Sequence, residues 1–305
     1  MEDVFVQKVF QLNDQLLKQE LSPEYVLIEL EAHLKKSRQM QFHLHETETL
    51  NTFGITYSFM EKIDKALYYF KMALEKAEMY QYIDLICKLC NNICKVLQNI
   101  GDIEAAIPYA DKGISIVEQH QLKILPVLYL YNSKAGLLIL LGNYSEATIT
   151  LEKAWDFSNN VEFKNYSRFS FGRAMYSLHL VRLYIYIYNH DEKHYQETLR
   201  LILSLKEEIK SYSEEILVIA ELVHAIAMNQ DDASIYPYEQ KLIELHQGTI
   251  SLANLHNLTI YLTHNHCHTW AKKYAQQILD HTQDDPEANL KFIQHAQKIL
   301  AGTFS

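Results

Sequence analysis

Glycine and proline are scarce in this sequence, with 8 and 5 residues among 305. Irregular loops rely on both, so long loops are not expected. No apolar run approaches the roughly 18 residues of a membrane-spanning helix, and Met1-Glu2-Asp3 lacks the basic start of a signal peptide. These absences predict a cytoplasmic protein with no membrane partner.

Cysteine and concentrated positive charge are also scarce. The chain has 4 cysteines, and Cys87, Cys90 and Cys94 follow one helical stripe. Small buried side chains explain that stripe better than redox chemistry or zinc does. Net charge is −10, and Lys and Arg form no cluster of the kind that phosphate neutralisation requires. We therefore expect neither a disulfide framework nor direct nucleic-acid binding.

What the sequence does contain is a repeat. Gly101-Asp102-Ile103-Glu104-Ala105-Ala106 and Gly142-Asn143-Tyr144-Ser145-Glu146-Ala147 have the same form, and each opens a helix after an apolar one. Recurrence at a fixed period indicates a solenoid, in which helix pairs stack because none buries its apolar face alone.

The repeat resembles the tetratricopeptide repeat (TPR), which has small and aromatic residues at fixed positions. The best copy covers 49–79 and has these residues in register: Gly54, Tyr57, Ala66, Phe70 and Ala73. Two later copies have Ala110 and Leu151 where an aromatic residue is usual. Their period of 40 to 41 residues exceeds the usual value of about 34, which predicts helices about one turn longer.

The resulting fold prediction is all-α. It is a right-handed α-α superhelix of about six helix pairs with a C-terminal capping helix, forming one TPR-like solenoid over residues 1–305. Its expected parts are an N-terminal pair (1–44), three clear repeats (45–160), three degenerate pairs (161–283) and the capping helix (284–305). Tyr184–Tyr188 alternates like a strand, but it continues an apolar stretch and is interpreted as the end of a helix spanning 168–188.

Candidate binding residues lie on the first helix of each repeat. Asn51, Asn91 and Asn132 share the fifth repeat position, which lines the inside of a TPR superhelix. Amides can donate to and accept from the backbone of an extended peptide. Lys88 and Lys95 flank this line. The alternative is that Asn only tolerates a solvated helix face.

Two further groups carry less specific signals. Arg168, Arg173 and Arg182, with Tyr176, could hold a ligand carboxylate or form salt bridges between repeats. The segment His264–His268 contains imidazole and thiol groups that zinc accepts. Neighbouring residues rarely reach one ion together, so a His-rich surface turn is preferred, and we expect no metal and no cofactor.

No phosphate-binding Gly loop, Gly-x-Ser-x-Gly or His-Glu-x-x-His is present, which argues against an enzyme. The long repeats and the asparagines are similar to the Rap, NprR and PlcR group of cytoplasmic peptide receptors. That resemblance implies that Asn51, Asn91 and Asn132 hold the backbone of a signalling peptide. We therefore expect a regulatory module that binds a peptide or protein segment in a concave groove, with possible dimerisation through a solenoid end. Alternatives are a TPR sensory or scaffold segment of a larger signalling protein, and an α-helical metalloprotein using His264–His268.

Overall fold

Helices form the regular secondary structure of the chain. The computed structural model describes residues 2–18, 20–160, 168–209, 214–229, 231–246, 248–283 and 289–303. These residues contain fifteen helices and no strand, which confirms the all-α prediction. In chain order the helices are α1 Glu2–Leu17, α2 Pro23–Met40, α3 His43–Phe59, α4 Ile63–Met79, α5 Ile83–Asn99, α6 Ile103–His120, α7 Pro126–Leu140, α8 Tyr144–Asn160, α9 Arg168–Tyr188, α10 Glu192–Ile209, α11 Glu214–Ala227, α12 Asp232–Leu245, α13 Leu252–His264, α14 His268–His281 and α15 Leu290–Ala301.

The helices follow the predicted order of pairs. Helix α9 includes the alternating tyrosines, as expected. Helix α12 begins at Asp232, because the Asp231 side chain caps it by accepting a hydrogen bond from Ser234 N at 2.8 Å. The start predicted for the capping helix, Asp284–Glu287, lies outside the described residues.

Successive helices are joined by tight left-handed turns. Between α2 and α8 the first or second residue after each helix has a positive φ of 48° to 77°, at Gln41, Glu61, Gln81, Gly101, Gln121 and Gly142. At a typical turn, Glu61 N donates to Ser58 O at 3.1 Å and Lys62 N donates to Tyr57 O at 2.9 Å. This pairing satisfies the last carbonyls of a helix, so each connection needs only a few residues.

The chain divides into two compact units. The first is formed by Met1–Leu97 with Glu104–Leu130, and the second by Gln98–Ile103 with Tyr131–Ser305.

The first unit is held by large residues that fill the space beside small ones. One core cluster joins Val9, Leu30 and Phe53 from three helices. A Cβ added to Gly54 would lie 2.5 Å from the Phe70 ring. Glycine therefore lets α3 and α4 approach closely, as the repeat register predicts.

Helix α3 is buried on nearly all sides although many of its side chains are polar. Its threonines make this possible, because their hydroxyls donate to carbonyls one turn earlier at 2.6 to 2.9 Å: Thr47, Thr49, Thr52 and Thr56. A buried hydroxyl bonded within its own helix carries little desolvation cost.

In the second unit, the C-terminal helices pack on the turns of the repeat motif. A Cβ added to Gly101 would lie 3.1 Å from the ring of Phe292 in α15. Asp102 and Lys291 form an ion pair. The hydroxyl of Tyr144 lies 3.2 Å from Nδ1 of His264 in α13. The two turns that share one form in the sequence thus both contact C-terminal helices, α15 at Gly101 and Asp102 and α13 at Tyr144.

Candidate functional site

Helix α5 carries a polar stripe on a face that the rest of the first unit leaves open. Leu85, Leu89 and Ile93 are buried, whereas the stripe is exposed or half-buried. Its members recur at intervals of three or four residues: Asp84, Lys88, Asn92 and Lys95. Such spacing places all four on one face. We call these four residues the α5 stripe.

The α5 stripe is joined to α3 through a hydrogen-bond network. Asn92 Nδ2 donates to Asn51 Oδ1 at 3.0 Å, and Asn51 Nδ2 donates to Glu48 Oε2 at 3.3 Å. Lys88 Nζ lies 3.5 Å from Glu48 Oε1. The buried Glu48 carboxylate thereby gains both a cation and an amide donor, as a buried charge requires. Asn51 therefore connects α3 and α5, which are the first helices of two successive repeats.

The other two asparagines of the predicted line are buried as well. Asn91 and Asn132 expose 7% and 6% of their surface, and Asn51 exposes 6%. Asn132 Nδ2 donates to Ala174 O of α9 at 3.3 Å, while Asn91 has interactions within the fold. Asn51 and Asn132 each bond to a helix about one repeat further along the chain, but Asn51 accepts from a side chain whereas Asn132 donates to a backbone carbonyl. Their role in binding stays a prediction.

Among the predicted cations, Lys95 Nζ lies 5.3 Å from the centre of the Tyr129 ring. Arg173 is half-buried on α9 and has interactions there. Arg182 lies 5.1 Å from the Trp155 ring, and its Nη2 donates to the Tyr186 hydroxyl at 2.9 Å. This guanidinium therefore rests on aromatic groups. The side chain of Arg168 lies outside the described residues.

The His264–His268 segment has structural contacts. His264 meets Tyr144, and Cys267 Sγ donates to Asn265 O at 3.3 Å beside the start of α14. The rings of His266 and His268 are 6.0 Å apart. Within the described ranges, no three His, Cys, Asp or Glu side chains are grouped so that they could hold a metal ion.

The three cysteines of α5 are buried free thiols, as predicted. Cys94 Sγ donates to Ala106 O at 3.3 Å. Burial raises the pKa of Cys87, Cys90 and Cys94 to about 12. At neutral pH these groups are thiols, which are poor nucleophiles.

Buried histidines are a feature that the sequence did not indicate. His45 stacks on Phe5, and its Nε2 lies 2.8 Å from His33 Nδ1. Burial lowers the pKa of His45 to about 4 and that of His256 to about 3. His256 packs against His295 with ring centres 4.4 Å apart. Each pair joins two different helices, so no motif within one helix marks it.

No family model matches the sequence, and no curated protein matches it. Among solved structures, the chain is similar to a Rap protein complexed with competence and sporulation factor. The match covers 99% of this chain and 99% of that chain, with a TM-score of 0.55 and 14% sequence identity. The chain has a Rap-like fold. This confirms the predicted helical repeat solenoid and the resemblance to the Rap group.

No described helix combines the length and apolar character needed to cross a membrane.

Proposed function

We propose that the chain is a non-enzymatic regulator that binds a short peptide, or an extended segment of a protein partner, on its first helices. The observation that carries this proposal is the match along the whole chain to a Rap protein in complex with competence and sporulation factor. Stacked first helices present a repeating surface that suits an extended chain.

The chemistry of the α5 stripe supports the proposal. Asn92 offers an amide beside the ammonium groups of Lys88 and Lys95, which favour a carboxylate on the ligand. Lys88 is held by Glu48 and Lys95 by the Tyr129 ring. Contacts of this kind orient long side chains and lower the entropy lost on binding.

The buried thiols support the non-enzymatic part of the proposal. A cysteine side chain is a strong nucleophile at neutral pH only when its pKa is low enough for the thiolate to form. The pKa of each α5 thiol is about 12, so we assign these groups to packing.

The proposal is tested with a synthetic library of short random-sequence peptides. Peptides that co-elute with the purified chain on gel filtration are identified by mass spectrometry, and their affinities are measured by isothermal titration. We expect Lys95→Ala to weaken binding by about tenfold, as losing one charge-assisted contact would.

Lys71→Ala is the matched control, because it removes the same charge from an exposed position on α4. It should leave the affinity unchanged. Equal weakening by both variants would indicate a general charge effect, and a chain that retains no library peptide would refute the proposal.

A further inference from the structure

Arg182 is a half-buried cation of α9 without a carboxylate beside it. Within the described part of the chain its partners are aromatic, and no Asp or Glu forms an ion pair with it. Its guanidinium lies 5.1 Å from the centre of the Trp155 ring of α8 and 5.8 Å from that of Tyr186. Aromatic faces orient a guanidinium, but a charge withdrawn from water is normally paired with an opposite charge.

Arg182 corresponds to Lys134 of the preceding first helix. Each residue lies eight positions before the positive-φ residue of the turn that follows its helix. That turn residue is Gly142 after α7 and His190 after α9. The two positions are therefore equivalent, and both have a cation.

The carboxylate that neutralises Lys134 has no counterpart at the later position. Glu146 Oε1 lies 3.4 Å from Lys134 Nζ, and Glu146 is the fourth residue after the positive-φ residue. The corresponding residue after α9 is His194. Its ring stacks on that of Tyr186 with centres 5.5 Å apart, so His194 stands beside the site of Arg182. A base thus replaces the acid of the preceding repeat.

The neighbouring titratable groups do not supply the missing charge. Burial and the positive charge of Arg182 lower the pKa of His179, one turn earlier, to about 4, so its ring is neutral at pH 7. Asp191 is engaged by His194, whose Nδ1 lies 2.6 Å from Asp191 Oδ2. Glu192 bonds to a histidine of α11 at 2.7 Å. These contacts leave the guanidinium as an uncompensated positive charge.

This charge lies away from the candidate peptide-binding face. Arg182 is nine residues after Arg173, which is about two and a half helical turns and places the two side chains on opposite sides of α9. Arg173 is one of the residues expected to bind the peptide, whereas Arg182 contacts α8, a second helix. A ligand of Arg182 would therefore occupy a separate surface of the second unit.

We propose that Arg182 binds the carboxylate of an aspartate or glutamate side chain of a protein partner, on a surface formed by α8, α9 and α10. The partner supplies the charge that Glu146 supplies one repeat earlier. A guanidinium holds a carboxylate through two parallel hydrogen bonds, and Arg, Trp and Tyr are the residues that dominate binding energy at protein interfaces. This inference goes beyond the proposed function, because it assigns a second binding site.

The test uses short random peptides on beads, each with a glutamate fixed at its centre. Beads that retain the wild-type chain but not Arg182→Met are sequenced, and each peptide is made again with either Glu or Gln at the centre. Isothermal titration measures the affinities. We expect the Glu peptides to bind Arg182→Met at least tenfold more weakly than wild type, and wild type to bind the Gln peptides with a similar loss.

The fluorescence of Trp155 reports where the peptide binds. The chain has 2 tryptophans, so Trp270→Phe leaves Trp155 as the single fluorophore of this kind. Because the guanidinium lies over the Trp155 ring, binding of a Glu peptide should change its emission. Binding without that change would place the peptide elsewhere and refute the site.

Three variants separate the carboxylate contact from folding and from general charge. Arg182→Lys keeps the charge but lacks the planar fork, so it should bind the Glu peptides more weakly than wild type while remaining folded. His194→Glu restores the acid of the preceding repeat and should weaken binding about tenfold by pairing with Arg182. Arg200→Met removes the same charge from an exposed position of α10 and should bind as wild type does.

The outcomes distinguish this site from the proposed function. The proposal is overturned if wild type retains no Glu peptide, if the Gln peptides bind equally well, or if Arg200→Met weakens binding as much as Arg182→Met does. The peptide recovered in the test of the proposed function should bind Arg182→Met as tightly as wild type. If that affinity also falls, the separate site is wrong while the proposed function stands.

Discussion

Replacing Gly54 by alanine should destabilise the first unit even though alanine favours helices. The new Cβ would lie 2.5 Å, 2.6 Å and 2.8 Å from three carbons of the Phe70 ring, whereas carbon atoms normally approach to about 3.5–4.0 Å. Phe70 exposes only 2% of its surface, so its ring has no free space to move into. Overpacking of this kind costs about 1–3 kcal/mol.

The helix propensity of alanine offsets part of that cost, by about 1 kcal/mol. The net loss in free energy of unfolding is therefore about 1 kcal/mol. Gly136→Ala makes the same chemical change in α7, where no described atom outside its own stretch of helix lies within 4 Å of the added Cβ. It should raise stability by about 0.5–1 kcal/mol. The opposite signs of the two effects isolate the contact between Gly54 and Phe70 from the propensity of alanine.

Urea unfolding followed by far-UV circular dichroism measures both variants against wild type. Phe70→Leu in the Gly54→Ala background should recover part of the loss, because the smaller side chain removes the clash. A coupling of about 1 kcal/mol in the double-mutant cycle is expected. If Gly54→Ala is as stable as Gly136→Ala, then the close approach of α3 and α4, and with it the repeat register, is wrong.

Three further predictions follow from the turns, the histidines and the asparagines. Gln81→Gly should raise the free energy of unfolding by about 1 kcal/mol, because glycine adopts the left-handed conformation without strain. Chemical denaturation measures this change, and a lower free energy of unfolding would contradict the left-handed turn at Gln81. The pKa of His45 is lowered to about 4, so the unfolded chain binds a proton at a higher pH than the folded chain. The free energy of unfolding should therefore fall as pH drops from 6.5 toward about 4, by up to ~1.4 kcal/mol per pH unit for each such histidine. Urea titrations at several pH values measure this dependence, and His45→Gln should make it less steep. A pH dependence that His45→Gln leaves unchanged would refute the lowered pKa of His45. Asn51→Ala should lower the free energy of unfolding by about 1–3 kcal/mol, because it removes a hydrogen-bond donor from Glu48 and an acceptor from Asn92. Thermal unfolding measures this loss, and an unchanged melting temperature would show that the hydrogen-bond network does not stabilise the fold.

The sequence was sufficient to predict the all-α repeat fold. Small residues such as Ala66 and Ala106 recur with the period of the repeat, and they are fully buried. A periodic pattern of this kind depends only on neighbouring helices, which the chain order supplies. The same reasoning correctly assigned the tyrosines at the end of α9 to a helix, since a strand there would interrupt the apolar stretch.

The turns and the buried histidines could not be predicted in the same way. Gln41, Glu61 and Gln81 adopt positive φ, a conformation that sequence reasoning assigns to glycine or asparagine. At these positions the packing of the flanking helices imposes the turn, and its stabilisation offsets the strain of a positive φ at a residue with a side chain. Likewise, His256 meets His295 only because α13 and α15 pack together, and no spacing along the chain encodes that contact.

At two of the three fifth positions the asparagine amide joins two first helices, but it does so from opposite ends. In Asn51 both ends of the amide are engaged, by Glu48 and by Asn92, so packing between first helices is enough to explain that residue. In Asn132 the donor end makes the bridge, to Ala174 O of α9, and among the described residues its acceptor oxygen is buried without a hydrogen-bond partner. A carboxylate would lack the donor and an apolar side chain would lack both groups, so packing between helices favours an amide at both positions.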